Sequence, residues 1–216
     1  MQEVFIVPDV QLQRRVRLMG TLPKRRAPGW GSARIYAVGH STRTAKELVE
    51  LLRAHGVETL ADIRTVPRSR TNPQFNRDVF PRTLAAAGLR YAHLPRLGGL
   101  RRPRPDSPNG AWRNTSFRGY ADYMLTDDFA QGLEELRLLA QEGPVALMCA
   151  EALRWRCHRS LVADALYARG VQVLHITSRA RAEPHPLTPF AELHGRQVLY
   201  PVQPEEASAS SPPPQR

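Results

Sequence analysis

Cysteine is nearly absent from this chain: Cys149 and Cys157 are the two in 216 residues. The first fifteen residues, MQEVFIVPDVQLQRR, show no basic-then-apolar leader. Two thiols without an export signal point to a cytoplasmic, reducing setting and argue against a structural disulfide. Long apolar runs are missing as well. No stretch approaches the roughly 18 residues of a membrane span, so no membrane partner is expected. No internal repeat divides the chain. Its length and 42% apolar content allow one α/β domain with a sizeable core, plus tails.

Lysine is scarce too, with Lys24 and Lys46 the only two, so arginine carries almost all of the basic charge behind the net +11. Arg64 to Arg118 holds twelve arginines against two acids, Asp78 and Asp106, a local charge of +10. Guanidinium forks suit bidentate contacts to phosphate, so this stretch reads either as a face for a phosphate-bearing small molecule or nucleic acid, or as a solvated basic loop.

What is present alternates. Residues 1–33 read as a basic, flexible appendage, either a docking arm or a stretch ahead of the true start codon. Residues 204–216, PEEASASSPPPQR, read as a disordered Pro/Ser-rich tail. Between them, residues 34–203 carry a strand ending at Gly39-His40, then a helix with Thr44 and Glu47 in capping-box spacing and Leu48, Leu51 and Leu52 on one face. A second strand spans Val57 to Ile63, a helix runs from about Arg77 to Ala87, and a third strand covers Tyr91 to Leu94. A long loop, Pro95 to Phe117, precedes a helix that starts at Thr126-Asp127-Asp128 and is broken by Gly143-Pro144. A fourth strand (Val145 to Met148), a helix from Cys157 to Arg169 and a fifth strand (Val171 to Ile176) complete the pattern. The fold expected is a single α/β domain, a mainly parallel sheet of about five strands flanked by helices, with the site at the strand carboxyl ends.

That edge collects His40, Ser41, Asp62, Arg64, Cys149 and Glu151. A carboxylate at the end of an apolar strand is costly to bury unless paired or set in a cleft. Glu151 and Asp62 are therefore acid/base candidates, with a salt bridge (Asp62 to Arg64, Glu151 to Arg159) as the structural alternative. His40 is a candidate base, or a histidine held within a turn. Cys149 and Cys157 are candidate thiol nucleophiles or a redox pair, against a reading as small core packing. The helix start at Cys157-His158-Arg159 offers free N–H groups, which makes His158 and Arg159 candidate anion ligands. Arg64, Arg68, Ser69 and Arg70 extend the basic wall. Gly98 and Gly99 permit close backbone approach, and Tyr120 and Tyr123 offer stacking rings. No metal site is expected, because Cys149, Cys157 and His158 match no standard finger spacing and lack a fourth ligand. No cofactor is indicated.

The segments VGHSTRTAKELVELLRAHGVETLADIRTVPRSRTNPQFN, LPRLGGLR, RGYADYM, LMCAEALRWRCHRSLVADALYARGVQVLHI and EPHPLTPFAELHGRQVLYP together resemble the bacterial and archaeal family called domain of unknown function 488. The resemblance spans roughly residues 35–201 and carries onto His40, Ser41, Asp62, Arg64, Pro67, Ser69, Arg70, Gly98, Gly99, Tyr120, Tyr123, Cys149, Glu151, Cys157, His158 and Arg159. It implies a cytosolic α/β domain without implying a reaction. A weaker likeness, in the DIR after a strand and the strand-end Cys149, is to rhodanese-type sulfurtransferases. The loop from Cys149 to Arg159 is longer than theirs and lacks the cradle glycine. Three readings follow: an enzyme-like domain binding a phosphate-bearing ligand (nucleotide or nucleic acid) with Glu151 as acid/base, a cysteine-dependent sulfurtransferase or redox protein, or a non-catalytic nucleic-acid-binding module.

Overall fold

A computed structural model describes residues 29–202; the expected flexible extension, up to residue 28, and the expected disordered tail 204–216 lie outside the described residues. Six strands, β1 (Ile35–Gly39), β2 (Thr59–Asp62), β3 (Arg90–His93), β4 (Val145–Cys149), β5 (Val173–Ile176) and β6 (Ala182–Pro184), form one sheet in the order β3-β2-β4-β1-β5-β6. The first five are mutually parallel, and β6 closes one edge antiparallel to β5. A separate hairpin joins β7 (Glu192–His194) to β8 (Gln197–Leu199).

Five helices cover the sheet: α1 (Ala45–Ala54), α2 (Phe80–Ala86), α3 (Thr115–Tyr123), α4 (Asp127–Glu142) and α5 (Arg159–Tyr167). The capping box of Thr44 and Glu47 is formed at the start of α1, and the Thr126 hydroxyl caps α4. Strands β1, β2 and β4 are buried along their whole length, so alternate residues feed two cores. Tyr36, Val38, Leu60, Ala146 and Met148 pack on α1 and α2. Ile35, Ala37, Ala61, Ile63, Leu147 and Cys149 face the opposite core with α3, α4 and α5, which also takes in Trp30.

The topology places the site. The chain leaves β1 through α1 on one face and leaves β4 through α5 on the other, and β1 and β4 are neighbours. Their connections therefore part at the carboxyl edge and leave a crevice, the usual ligand position in an open α/β sheet.

Two buried carboxylates tie down what the periodicity left irregular. Within Pro95–Phe117, Asp122 of α3 accepts from the Arg104 N–H (2.8 Å), the Ser107 hydroxyl (2.6 Å) and the Asn109 amide (2.8 Å). Gly119 lets that loop cross α3, since a Cβ there would lie 2.5 Å from the Arg101 carbonyl oxygen. In α5, Asp164 is fully buried and accepts from the His185 ring (2.8 Å), the Thr188 N–H (3.0 Å) and hydroxyl (2.6 Å), and the Tyr200 hydroxyl (2.8 Å). The segment after β5 is thereby anchored. Removing the acceptor strands these donors, so Asp164→Ala is expected to cost about 3–5 kcal/mol in urea unfolding. A loss under about 1 kcal/mol would show that the anchor carries little.

Candidate functional site

A cleft of about 670 Å³ opens at the crevice between the β1 and β4 ends, lined among others by His40, Ser41, Arg64, Arg68, Ser69, Cys149, Glu151, Arg156 and His158. A second cavity of about 380 Å³ shares Gly99, Leu100, Cys149, Glu151, Arg156 and His158 with it, and adds Tyr120 and Cys157. Two non-glycine residues among those described have left-handed backbone, Ser41 (φ 49°) and Leu100 (φ 60°), and both line the cleft. Such outliers are costly and concentrate where function constrains the chain.

The floor is built by a buried arginine. The Arg159 guanidinium donates to the carbonyls of Val38 (2.7 Å), Glu151 (3.2 Å) and Ala152 (3.4 Å), at 2% side-chain and backbone exposure overall. It thus ties the end of β1 to the loop that follows β4. Gly39 permits the approach, because a Cβ there would sit 1.9 Å from the Glu151 carbonyl oxygen. The expectation of Arg159 as an anion ligand gives way to this clamp: Nη1 and Nη2 are engaged by backbone, Nε is buried without a partner, and the residue does not line the cleft. The α5 start is also occupied within itself. The Arg159 N–H points at Cys157 Sγ (3.4 Å), and the Ser160 and Leu161 N–H groups bond to the carbonyls of Cys157 and His158.

The second wall rests on an ion pair. Asp62 is fully buried and grips Arg64 through Nε (2.9 Å) and Nη2 (2.6 Å) while accepting the Tyr91 hydroxyl (2.8 Å). Burial works against the Arg64 charge, but the hydrogen bonds and charge of Asp62 hold its pKa above the usual value. Asp62 does not line the cleft, so its carboxylate positions Arg64. His40 Nδ1 lies 2.8 Å from the Ser41 carbonyl, which can only accept, so Nδ1 carries the proton and Nε2 faces Arg64 Nη1 at 3.3 Å. Burial lowers its pKa, and its acceptor nitrogen is already occupied. His40 is a neutral fixture in this geometry.

The reactive cluster lies elsewhere. His158 Nε2 is 3.0 Å from the Ile63 carbonyl and must donate to it. That leaves Nδ1 as the acceptor, 3.9 Å from Cys149 Sγ and 4.0 Å from Cys157 Sγ. Gly99 allows this ring to sit close, since a Cβ would lie 3.0 Å from Nδ1, and Tyr120 packs on its other side at 5.0 Å between ring centroids. The Cys149 thiol lies well below its usual pKa: the Cys157 thiol donates to the sulfur, burial opposes, and His158 and the Glu151 N–H add to the lowering. Cys157 moves the opposite way, chiefly because its proton is engaged by Cys149. Along the chain Cys149, Cys157 and His158 match no finger spacing. In space the two sulfurs and Nδ1 lie within 4.8 Å of one another, a set of donors that suits a thiophilic cation.

The remaining candidates divide. Ser41, Arg68, Ser69, Gly99 and Glu151 line the main cleft, with Arg68 and Glu151 exposed. Tyr120 borders the second cavity with its hydroxyl on the Leu97 carbonyl (2.8 Å). Tyr123 bonds the Arg96 carbonyl and stacks under Arg101, Gly98 packs against Thr65, and Arg70 is exposed; these three stay outside the cleft lining. Part of the arginine surplus is paired, Arg90 with Glu142, Arg96 with Glu135, and Arg104 with Asp106, while Arg68 and Arg70 stay exposed. Residues the motif reading passed over are the Ile63 carbonyl, Arg156 and Leu100. Arg156 carried a signal, standing directly before Cys157-His158, whereas a backbone carbonyl carries none.

Residues 44–166 match the family described as Domain of unknown function DUF488. No curated protein and no solved structure shows a significant match. No helix among the described residues is long and apolar enough to cross a membrane. Arg159 and Glu151, expected as an anion ligand and an acid/base group, should separate on substitution. Arg159→Met is expected to lose about 2–4 kcal/mol of stability, because three carbonyls lose a charged donor. Glu151→Gln, at an exposed position, should stay within about 0.5 kcal/mol. Equal effects in chemical denaturation would overturn the clamp.

Proposed function

The chain belongs to the DUF488 family, whose description names no reaction, and we propose from its own geometry that it is an enzyme performing thiol chemistry on an anionic substrate. Cys149 is the nucleophile and His158 its base. One observation carries this: His158 Nδ1 faces both sulfurs while Nε2 is committed to the Ile63 carbonyl. A nucleophile, a base within reach and a third group orienting the base are the working parts of a covalent-catalysis site, and such contacts are commonly long before substrate binds. Arg68 and Arg156 on the cleft wall, with Arg64 beneath and the Ser41 and Ser69 hydroxyls, supply the anion-binding half. A phosphate-bearing molecule such as a nucleotide fits that chemistry. Glu151 stands on the rim, where it can take or return a proton.

The test is alkylation of the reduced chain by anionic iodoacetate and neutral iodoacetamide in the presence of a chelator, with peptide mapping. Cys149 is expected to react first, and His158→Asn to slow it about tenfold or more. Arg156→Ala should lower the iodoacetate rate relative to iodoacetamide. A Cys149 that reacts no faster in the wild type than in His158→Asn would remove the dyad.

A second reading is favoured by the 4.8 Å spacing of the three donors. Zinc bond lengths in a tetrahedron put S···N near about 3.6 Å and S···S near about 3.8 Å, so little closure is needed. Cys149, Cys157 and His158 would hold the ion, its fourth position would face the cleft, and the ion would supply Lewis acidity there. Cobalt(II) added to the reduced chain is then expected to give the thiolate charge-transfer and intense visible bands of tetrahedral coordination, lost in Cys157→Ser. A spectrum of aqueous cobalt alone would discard this reading.

A further inference from the structure

Cys157 has no task in a mechanism that needs one nucleophile and one base, yet it is buried beside Cys149 and shares the same ring nitrogen. A second thiol so close would intercept any covalent adduct on Cys149 that leaves a sulfur bonded to sulfur. We propose that Cys149 and Cys157 are an attacking and a resolving thiol that pass through an intramolecular disulfide, and that the cleft accepts anionic disulfides. This rests on the assignment of Cys149 as nucleophile and adds to it the role of Cys157 and the substrate class.

The geometry supplies each part. The two sulfurs lie within 4.8 Å, and a disulfide needs about 2.05 Å, so closure requires a shift of under about 3 Å. Cys149 is fixed in a fully buried strand, whereas Cys157 follows Leu153, Trp155 and Arg156, which are exposed and lie past the two loop residues that Arg159 clamps, so the movement falls to Cys157. Both sulfurs border the second cavity, which has room for one half of a mixed disulfide against Phe117 and Tyr120. Arg156 lines both cavities and is placed to meet an anionic group on either half.

The steps balance. Cys149 passes its proton to His158 Nδ1 and its thiolate attacks one sulfur of R–S–S–R′; that bond breaks, R′S⁻ departs with the proton held by His158, and Cys149 carries R as a mixed disulfide while Nδ1 is free again. Cys157 then passes its proton to His158 Nδ1 and attacks Cys149 Sγ. The Cys149–Cys157 bond forms, and RS⁻ leaves with the proton held by His158. Two electrons move from the protein dithiol to the substrate, which ends as two thiols. Turnover then needs an external thiol reductant, the class represented by dithiothreitol.

The experiment mixes the reduced full-length chain, with chelator, with oxidised glutathione (anionic), hydroxyethyl disulfide (neutral) or cystamine (cationic). Intact and peptide masses are then followed. The wild type is expected to lose two hydrogens and retain no adduct, while Cys157→Ser and Cys157→Ala stop at one glutathione on Cys149. Cys149→Ser should leave Cys157 unmodified over the same time. Oxidised glutathione should react at least about tenfold faster than the neutral and cationic probes, and Arg156→Ala should remove that preference. A glutathione adduct that persists on wild-type Cys149 would overturn the resolving role and leave the nucleophile standing. Modification of Cys157 first would overturn the order of attack. No charge preference would overturn the substrate class. A Cys149 inert to all three probes would overturn the nucleophile itself. Circular dichroism on each variant separates these outcomes from misfolding.

Discussion

The buried guanidinium of Arg159 is the contact on which the site depends. A charge at 2% exposure is costly unless its donors find acceptors, and here Nη1 and Nη2 find three backbone carbonyls from two different strand ends, while Nε is left without a partner. The consequence is mechanical. The loop after β4 is held down onto β1, at the one place where Gly39 lets it come close. Because Arg159 opens α5, the same clamp fixes the start of that helix, and His158 is the residue before it. The guanidinium thus fixes the backbone from which the imidazole faces the two sulfurs, the Ile63 carbonyl orients the ring, and the Arg159 N–H lies 3.4 Å from Cys157 Sγ.

Opposite stands a second cation with the reverse assignment of roles. Arg64 is held by a buried carboxylate and still borders the cleft, whereas Arg159 is held by carbonyls beneath it. Asp62 and His40, each attractive as a catalytic group from its place at a strand end, serve Arg64 instead: one fixes the fork and the other accepts from it. What is left facing the two cavities is a thiol pair, an imidazole nitrogen, two exposed arginines and a rim carboxylate. That inventory favours attack by sulfur on something negatively charged.

Much of the fold was legible because it rests on periodicity and caps. The five parallel strands, the Thr44–Glu47 capping box, the Thr126 cap and the helix after Cys157 all follow from local patterns. α3 was hidden because TSFRGYADY has a glycine at its centre, needed for a loop to cross it, and its burial comes from tertiary contacts. β6, β7 and β8 are three-residue strands, too short to show alternation. For the site, topology brought His40, Ser41, Arg64, Cys149 and Glu151 to one edge as expected. The division between working and supporting residues was not readable. Whether an arginine faces a cleft or a set of carbonyls depends on contacts between residues 8 and 121 positions apart, and residue type carries no trace of that.

The central claim is that His158 presents a proton-accepting Nδ1 to the cysteine sulfurs, and it can be read directly by ¹⁵N NMR of histidine-labelled protein, with His158 assigned by substitution. A proton on Nε2, together with an Nδ1 shift that changes when Cys149 is replaced by serine, is expected. A neutral ring with its proton on Nδ1 and Nε2 bare would contradict the claim, since that ring accepts from neither sulfur.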